Sequence, residues 1–361
     1  MIGVVTTSYP RSVDDGAGGF VRERVRALLA LGEEVEVVAA GEGGWGDGAL
    51  VTRIPAGGLF YGGGAPEALE AGRLSERLLA FCQAVGFSAR MLAELARRKA
   101  RWHKVESHWL LPCGLAAASA LPGLPHRAHV HGGDLYLLER LPCADSLARL
   151  LCRQGPEIVF ASALLHARFS ALLGGSPESF GARCRTEAAP FDPSVFSPLA
   201  PGEAEKARAA LGLAGATLLG AGRLQPIKGF DLLITAVGRL PPASRPTVVI
   251  AGEGPERARL QRRARLAQVE LRLPGVLGQR ALALHMAAAA LFVHPCRTLP
   301  GGRSEGMPLV VREALARGLP VVASASGGLA ELRGSDGLTL VAEGDVSALA
   351  EAIARVLTLS V

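Results

Sequence analysis

The stretch Ser304-Glu-Gly-Met-Pro-Leu-Val-Val-Arg-Glu-Ala-Leu-Ala-Arg-Gly318 is the segment around which the chain is organised. Proline suits the first position of a helix and glycine the position after its end, so Pro308 and Gly318 predict a short helix over residues 308–317. The first turn of a helix carries unpaired backbone N–H groups, and Gly302 and Gly306 let an anion approach the preceding loop closely. The stretch therefore predicts a phosphate site at a helix start.

Two glutamates flank this helix start. Glu305 lies just before it and Glu313 lies inside the helix. At about 1.5 Å of rise per residue, the two carboxylates lie about 7 Å or more to either side of the amide groups. A diphosphate fits between two carboxylates that bind hydroxyl groups. Glutamates at this spacing also occur on solvated helices, so the interpretation depends on further motifs.

These residues resemble the E-x7-E signature of retaining glycosyltransferase family 4. Three other segments agree with that family in order and spacing. Gly222-Arg223-Leu224 with Lys228-Gly229 is similar to its phosphate-binding segment, and Gly252-Glu253-Gly254-Pro255 to its nucleotide-side loop. Gly327-Gly328 with Glu331 is similar to the turn that follows the signature. The resemblance covers nearly the whole chain and is strongest after about residue 216.

The resemblance implies an α/β protein of the GT-B fold, with two Rossmann-like, doubly wound parallel-sheet domains that face each other across a cleft. It implies an acceptor-binding domain over residues 1–192, a linker over 193–202 and a nucleotide-sugar-binding domain over 203–361. The residues agree, because 361 residues is long for one core and a proline-rich run lies near residues 190–202. The first half also predicts alternating elements: strands at 3–8 and 35–39, and helices at 20–30 and within 66–100.

Composition and charge narrow the class of protein. A hydrophobic content of 49% and a charged content of 20% exclude a disordered or coiled-coil chain. No uninterrupted apolar run reaches the roughly 18 to 20 residues that span a bilayer, and residues 1–6 resemble a first strand more than a signal peptide. We expect a cytoplasmic location, with the inner face of the membrane as an option. The six cysteines form no C-x-x-C pair, which indicates free buried thiols without a zinc site or a disulfide framework.

The net charge is +6, and six basic residues fall close together in one segment. Such a cluster is either a solvated helix face or a patch that binds phosphates of an anionic lipid leaflet or a nucleic acid. No nucleic-acid-binding motif accompanies it, so we expect no nucleic acid partner and favour peripheral membrane contact. The cluster comprises Arg90, Arg97, Arg98, Lys99, Arg101 and Lys104.

Candidate residues in the first half lie after strands, where open α/β sheets bind ligands. A loop ending in Gly18 and Gly19 follows the first strand and predicts close approach to a ligand. His129 and His131 lie on the same face of a strand and could bind a metal together, but no third ligand occurs at a spacing typical of a metal site. We favour His131, which precedes two glycines at a strand end and which the resemblance places beside the donor sugar. Asp134 is predicted to cap the next helix.

The second half supplies the cationic candidates. Gln225 stands where a dinucleotide fingerprint requires glycine, which disfavours a nicotinamide dehydrogenase. Lys228 is one of only four lysines and lies beside a glycine at a strand-to-helix turn, a position that suits a point-charge phosphate contact. The resemblance implies that the donor is bound by Gly18, Gly19, Arg223, Lys228, Glu253, Gly254, Val276, Glu305, Gly306, Met307, Pro308, Leu309, Val310 and Glu313.

We therefore expect a hexosyltransferase that moves a sugar from a nucleotide-diphosphate donor to an acceptor hydroxyl with retention, in glycan, lipid-linked glycan or natural-product glycoside synthesis. Arg223, Lys228 and the helix start would stabilise the leaving diphosphate without a metal or other cofactor. Glu305 and His131 would contact the sugar, and Glu313 the ribose. The acceptor is not specified. Two alternatives stay open: a GT-B phosphorylase or epimerase, and a non-catalytic nucleotide-sugar-binding protein.

Overall fold

The computed structural model describes residues 1–13, 15–56 and 74–359, and the chain divides into two compact units, Met1–Pro190 and Phe191–Val361. The first unit ends at Pro190, whereas we predicted that the first domain ends at residue 192. The segment 193–202, predicted as a linker, lies within the second unit. Phe196 in this segment is buried in the core of that unit, because its apolar ring packs among the strand and helix residues there.

The first unit contains a seven-stranded, fully parallel sheet in the order β3-β2-β1-β4-β5-β6-β7. The chain extends the sheet outward from β1 and then returns to pair β4 with the other side of β1. This reversal is the point at which ligands bind in doubly wound sheets. The strands are β1 (Ile2–Thr6), β2 (Val35–Ala40), β3 (Leu50–Ile54), β4 (Lys104–His108), β5 (His126–Val130), β6 (Glu157–Phe160) and β7 (Arg183–Thr186).

The helices of the first unit are α1 (Gly19–Ala30), α2 (Leu74–Ala96), α3 (Leu115–Ala120), α4 (Gly133–Glu139), α5 (Ala144–Arg153) and α6 (Ala163–Leu173). The helical stretch predicted within 66–100 ends at Ala96, and its predicted start at residues 66–73 lies outside the described residues. Buried strand residues such as Val5 and Val105 pack against Phe87 and Met91 of α2 to form one side of the core.

The second unit contains a six-stranded parallel sheet in the order β10-β9-β8-β11-β12-β13. Its reversal point lies between β8 and β11. The strands are β8 (Thr217–Ala221), β9 (Thr247–Ala251), β10 (Leu271–Gly275), β11 (Leu291–His294), β12 (Val321–Ser324) and β13 (Leu338–Val341). The helices are α7 (Glu203–Leu211), α8 (Phe230–Gly238), α9 (Arg257–Ala267), α10 (Gln279–Ala288), α11 (Leu309–Ala316) and α12 (Val346–Leu359).

The two parallel sheets confirm the predicted doubly wound architecture. The helix predicted over 308–317 is α11, which spans Leu309–Ala316, so Pro308 is the extended residue just before the helix and not its first residue. The sheet of the second unit is covered by apolar side chains on both faces, because every residue of β8, β9 and β11 is buried. Such burial on both faces is typical of parallel sheets between two helical layers.

Two residues of the predicted basic cluster, Arg98 and Lys104, pair with buried or half-buried acidic side chains. Arg98 is buried, and its guanidinium Nε donates to Glu36 Oε1 at 2.9 Å while another nitrogen pairs with Glu94. Lys104 pairs with the buried carboxylate of Glu106 at 2.9 Å. Arg98 and Lys104 are therefore occupied by acidic partners, whereas Arg90, Arg97, Lys99 and Arg101 are exposed. Membrane contact by the cluster stays a prediction.

The expectation of buried thiols holds for three of the six cysteines. Cys113, Cys152 and Cys296 are buried, whereas Cys82 and Cys143 are exposed and Cys184 is half-buried, and all six are unpaired.

One helix among the described residues, Leu78–Ala96 within α2, is long and apolar enough to cross a membrane by length and composition, with a mean hydropathy of 1.3. Only 22% of that window is buried. Phe87, Met91 and Leu95 on one face are buried in the core of the first unit, whereas Phe81 and Val85 are more than half exposed. The helix thus has one apolar face inside the unit and a second at its surface.

Candidate active site

The lysine predicted to bind phosphate lies beside the first glutamate of the signature. Lys228 ends a short 3-10 turn, Pro226–Lys228, that follows β8, and Glu305 lies in the loop before α11. Lys228 Nζ lies 3.0 Å from Glu305 Oε1, and each side chain is 16% exposed. The structure therefore brings together two residues that are far apart in sequence and that the sequence assigned to different parts of one ligand.

The charge state of this pair follows from its surroundings. Burial opposes ionisation of Glu305, but the Lys228 ammonium outweighs it and holds the pKa of the carboxyl below its ordinary value. The backbone of Glu305 is fixed as well, because its carbonyl oxygen accepts a hydrogen bond from Gly328 N at 3.1 Å. The site therefore presents an ionised carboxylate and a cation in a mostly buried position, where electrostatic interactions are stronger than in water.

His294, at the end of β11, is a residue that the sequence did not single out. Its side chain is buried, and within the described part of the chain neither ring nitrogen has a hydrogen-bond partner. Burial lowers its pKa to about 3, and the nearby charge of Lys228 acts in the same direction. His294 is therefore a neutral imidazole next to the Lys228–Glu305 pair. The only signal in the sequence is a histidine at the end of an apolar strand.

The turn after β8 brings Arg223 close to Lys228. A β-carbon on Gly222 would lie 3.0 Å from Lys228 Cε, so the lysine stem runs across the backbone of this turn. Gly222 has a φ of 144°, which a larger side chain rarely adopts. Arg223, the next residue, is half-buried. The structure thus places both predicted cationic residues in one turn at the carboxyl end of β8.

The predicted nucleotide-side loops meet at the same edge of the sheet. Leu224 N donates to Glu253 O at 2.9 Å, and Gly252 N donates to Gly275 O at 2.7 Å, so the loops after β8, β9 and β10 are hydrogen-bonded in series. Gly254 belongs to the second of these loops and Val276, which is exposed, follows the third. Glu253 is also exposed and pairs with Arg257 at 2.6 Å.

Glu313 and the start of α11 complete this region. Glu313 is 5% exposed, and burial raises its pKa to about 7, although the charge of Arg312 acts in the opposite direction. The amide groups of Leu309 and Val310 belong to the first turn of the helix, where no helical carbonyl accepts from them. Gly306, Met307 and Pro308, the remaining predicted donor residues, form the approach to this turn and are buried or half-buried.

In the first unit, three histidines lie close together near the reversal point of the sheet. His131 follows β5, and its Nε2 lies 3.2 Å from Nδ1 of His108 at the end of β4. The rings of His108 and His129 are stacked, with centroids 4.5 Å apart. Phe20 of α1 packs against His131 at 4.7 Å. Burial lowers the pKa of His131 to about 3, so this side chain is a neutral hydrogen-bonding group.

A buried carboxylate lies behind these histidines. Glu106 is fully buried and accepts two hydrogen bonds of 2.8 Å from the guanidinium of Arg24. His129 Nε2 lies 3.6 Å from the same carboxylate. Despite its burial, His129 and Arg24 hold the pKa of Glu106 well below its ordinary value. Glu106 and His108 were not predicted as site residues. Their only signal in the sequence is that polar residues occupy alternate positions of a strand.

Two predictions for the first unit need correction or refinement. Asp134 lies in the first turn of α4 and binds an amide group at its start, but it is not the N-cap residue, which is Gly132. Its carboxylate accepts hydrogen bonds from Leu110 N at 2.7 Å and from Gly132 N at 2.8 Å, and so joins the loop after β4 to α4.

The predicted glycine loop of the first unit is tightly packed. Gly18 has a φ of 74°, and a β-carbon there would lie 2.2 Å from Ser8 O. Close packing of this loop therefore requires glycine at position 18. Gly19 is buried and is the first residue of α1.

Comparisons with known proteins agree with this geometry. A family model described as glycosyl transferases group 1 matches residues 215–359. The GDP-mannose-dependent alpha-(1-6)-phosphatidylinositol monomannoside mannosyltransferase of Mycobacterium tuberculosis is 32% identical over 281 residues, which cover 72% of this chain and 69% of that protein. The D-inositol 3-phosphate glycosyltransferase of Frankia alni is 32% identical over 376 residues, covering 94% of this chain and 86% of that protein.

Solved structures share the fold at low sequence identity. Sucrose-phosphate synthase from Thermosynechococcus elongatus has a TM-score of 0.75 at 20% identity, and the match covers 99% of this chain and 90% of that one. Anabaena HepE, solved in complex with UDP, has a TM-score of 0.70 at 19% identity with the same coverage. The chain therefore belongs to glycosyltransferase family 4 and is a GT-B glycosyltransferase that uses a nucleotide-sugar donor.

Proposed function

We propose that this enzyme transfers a hexose, with retention at the anomeric carbon, from a nucleoside diphosphate sugar to a hydroxyl group of a lipid-anchored acceptor. The observation that carries the proposal is the Lys228–Glu305 pair beside the start of α11. It combines a cation and backbone N–H groups, which suit a diphosphate, with a carboxylate that suits sugar hydroxyls.

Stabilisation of the leaving diphosphate is the main catalytic task that we assign to the second unit. Negative charge grows on the β-phosphate as the bond to the sugar breaks. Lys228, Arg223 and the first amides of α11 act on that charge as fixed, partly desolvated groups, so they need little reorganisation during the reaction. The acceptor hydroxyl loses its proton to the departing phosphate on the same face of the sugar. This route requires neither a metal nor a side chain that acts as general base on the acceptor.

The two glutamates have separate tasks in this proposal. Glu305 is ionised and accepts hydrogen bonds from hydroxyls of the transferred sugar. Glu313, deeper in α11, binds the ribose hydroxyls. Its raised pKa means that ribose binding, which favours the ionised carboxylate, displaces a proton near neutral pH.

His131 binds the sugar as a neutral imidazole in this proposal. Its Nε2 lies at hydrogen-bonding distance from His108, and Phe20 packs against its ring, so its orientation is set before any ligand arrives. A neutral, oriented imidazole can donate to or accept from a hydroxyl group without adding a charge that competes with the diphosphate.

The names of two relatives guide the choice of substrates. One is GDP-mannose-dependent and acts on phosphatidylinositol monomannoside, and the other is named for D-inositol 3-phosphate. We propose GDP-mannose as the first donor to test and an inositol-containing lipid as the first acceptor. A surface groove of about 490 Å³ in the first unit supports a lipid, because apolar side chains line it almost entirely. These include Phe81, Val85, Leu92, Leu115 and Leu141.

The apolar face of α2 also supports contact with a membrane surface. Leu78, Leu79, Phe81 and Val85 are all more than half exposed, and insertion of such side chains between lipid headgroups removes their apolar area from water. We propose that this face, and not the basic cluster, provides the main contact.

Product analysis tests the proposed reaction. The enzyme is incubated with GDP-mannose or UDP-glucose and with phosphatidylinositol vesicles or soluble inositol phosphates, and NMR reports the anomeric configuration of the product. We expect an α-linked glycoside from an α-configured donor. A β-linked product would refute retention. A sugar phosphate or an epimerised sugar would indicate a phosphorylase or an epimerase, and donor binding without turnover would indicate a binding protein.

Vesicle flotation tests the membrane face separately. The double variant Phe81→Asp/Val85→Asp should lose binding to vesicles, because charges replace apolar contacts. Leu266→Asp is the matched control, since Leu266 is an exposed leucine on α9 of the second unit. Equal flotation of both variants and the wild type, or no flotation of any, would contradict the proposed contact.

A further inference from the structure

Three metal-ligating side chains meet at the β7 edge of the first sheet. His166, Glu178 and Cys184 each offer one ligand atom, and the three atoms lie within 4.8 Å of one another. They come from three elements: α6, the short turn Pro177–Phe180 and β7. None of them belongs to the histidine cluster at β4 and β5, nor to the turn with Lys228 and the loop with Glu305.

Local contacts hold each side chain in place. The ring of His166 stacks on Phe160 at the end of β6, with centroids 4.8 Å apart and planes 16° apart. Ser176 Oγ accepts from Glu178 N at 3.3 Å and also contacts the Glu178 carboxylate. The thiol of Cys184 is hydrogen-bonded to the Glu178 carboxylate. Neighbouring groups thus constrain all three donors, which lowers the entropic cost of bringing them around an ion.

The donor set selects a class of cation. One thiol, one imidazole and one carboxylate suit zinc or another borderline transition metal, whereas calcium and magnesium prefer oxygen ligands alone. His166 and Cys184 are half-buried and Glu178 is exposed, so an ion can enter from solvent. A tetrahedral ion with these three ligands keeps a fourth position for water or for the thiol of Cys152.

The thiol is protonated while no cation is bound. Burial raises the pKa of Cys184 to about 12, and its hydrogen bond to the Glu178 carboxylate and the nearby Cys152 act in the same direction. A bound divalent cation reverses this effect because it stabilises the thiolate directly. Binding therefore forms a metal–sulfur bond and releases the thiol proton to solvent, with no change of oxidation state.

We propose that His166, Glu178 and Cys184 bind a zinc ion that fastens the edge strand β7 to α6 and to the turn before it. The sequence suggested no zinc site, because its cysteines form no closely spaced pair. That argument does not apply to a site with a single cysteine whose other ligands come from separate elements. The role that we assign to the ion is structural, since the site takes no part in the proposed transfer reaction.

Cobalt substitution in the full-length protein tests the proposal. Chelator-treated protein is titrated with Co²⁺, and thiolate-to-cobalt charge-transfer absorption is recorded. We expect one equivalent to bind, zinc to displace it, and zinc to raise the melting temperature. Cys184→Ser should abolish the thiolate band, and His166→Ala should weaken binding by at least tenfold. Cys82→Ser and Cys143→Ser, which change exposed cysteines, are controls and should behave like the wild type.

A further variant distinguishes loss of the metal site from misfolding of the protein. Glu178→Gln changes an exposed residue, so the protein should fold and keep the thiolate band with weaker affinity. Three results would overturn the proposal: no charge-transfer band in the wild type, a band that persists in Cys184→Ser, or a melting temperature that does not respond to zinc. A Cys152–Cys184 disulfide in protein isolated without reductant, seen by mass spectrometry, would overturn it as well.

Discussion

The burial of Glu313 predicts both the direction and the size of a change in the free energy of unfolding with pH. Glu313 is 5% exposed in α11, and burial raises its pKa from 4.5 to about 7. At about 1.4 kcal/mol per pH unit, this rise corresponds to about 3 kcal/mol of free energy. The folded protein retains the proton at a pH where the unfolded chain has lost it. The free energy of unfolding therefore falls as the pH rises from about 4.5 to about 7 and levels off above that range.

The substitution Glu313→Gln removes this pH dependence, because glutamine has a similar shape and stays neutral. Denaturant unfolding followed by circular dichroism at pH 5 and pH 8 compares the variant with the wild type. We expect the stability of the variant relative to the wild type to increase by about 2 to 3 kcal/mol between these pH values. Glu351→Gln, an exposed carboxyl on α12 of the same unit, is the control. A difference that is the same at both pH values would refute the buried, titrating state of Glu313.

Three further predictions concern activity and donor binding. Lys228→Ala and Arg223→Ala should each weaken the binding of a nucleoside diphosphate by tenfold or more, because a charge-assisted contact is lost; wild-type affinity by calorimetry in both variants would contradict this. Turnover at 25 °C should survive excess chelator, even if the melting temperature falls, and recovery of lost activity by magnesium or manganese would show that the reaction needs a metal. His108→Ala should lower kcat through His131 while nucleoside diphosphate affinity stays unchanged, and His108→Asn should restore part of kcat; equal kcat in all three proteins would exclude this positioning role.

Local sequence patterns predicted the elements and their ends well. Pro308 and Gly318 define α11 because helix termini depend on the backbone preferences of single residues. The strand-helix alternation of the first half predicted a parallel sheet there, and the family resemblance implied the second one. The turn that carries Arg223 and Lys228 was also predicted, since glycine, proline and lysine mark it locally.

Partners distant in sequence could not be predicted in the same way. The ion pair of Lys228 with Glu305 joins the turn after β8 to the loop before α11, and no local pattern encodes that distance. Arg98 resembled a surface charge because its partner Glu36 lies on β2, 62 residues away in sequence. Asp134 was predicted only to cap a helix, because no local pattern shows that its carboxylate also accepts a hydrogen bond from Leu110 N in the loop after β4. Side-chain pairing of this kind depends on strand order, which one sequence specifies only through the whole fold.

The division of labour between the two signature glutamates is the central claim, and titration of a bare nucleoside diphosphate tests it most directly. The ligand contains the ribose and the phosphates but lacks the transferred sugar. Calorimetry on Glu313→Ala should show weaker binding than in the wild type, because the ribose contact is lost. Glu305→Ala should bind the nucleotide with nearly unchanged affinity, since Glu305 serves the absent sugar and Lys228 keeps its charge. Equal affinities in the two variants would contradict the assignment of the sugar and ribose ends of the site.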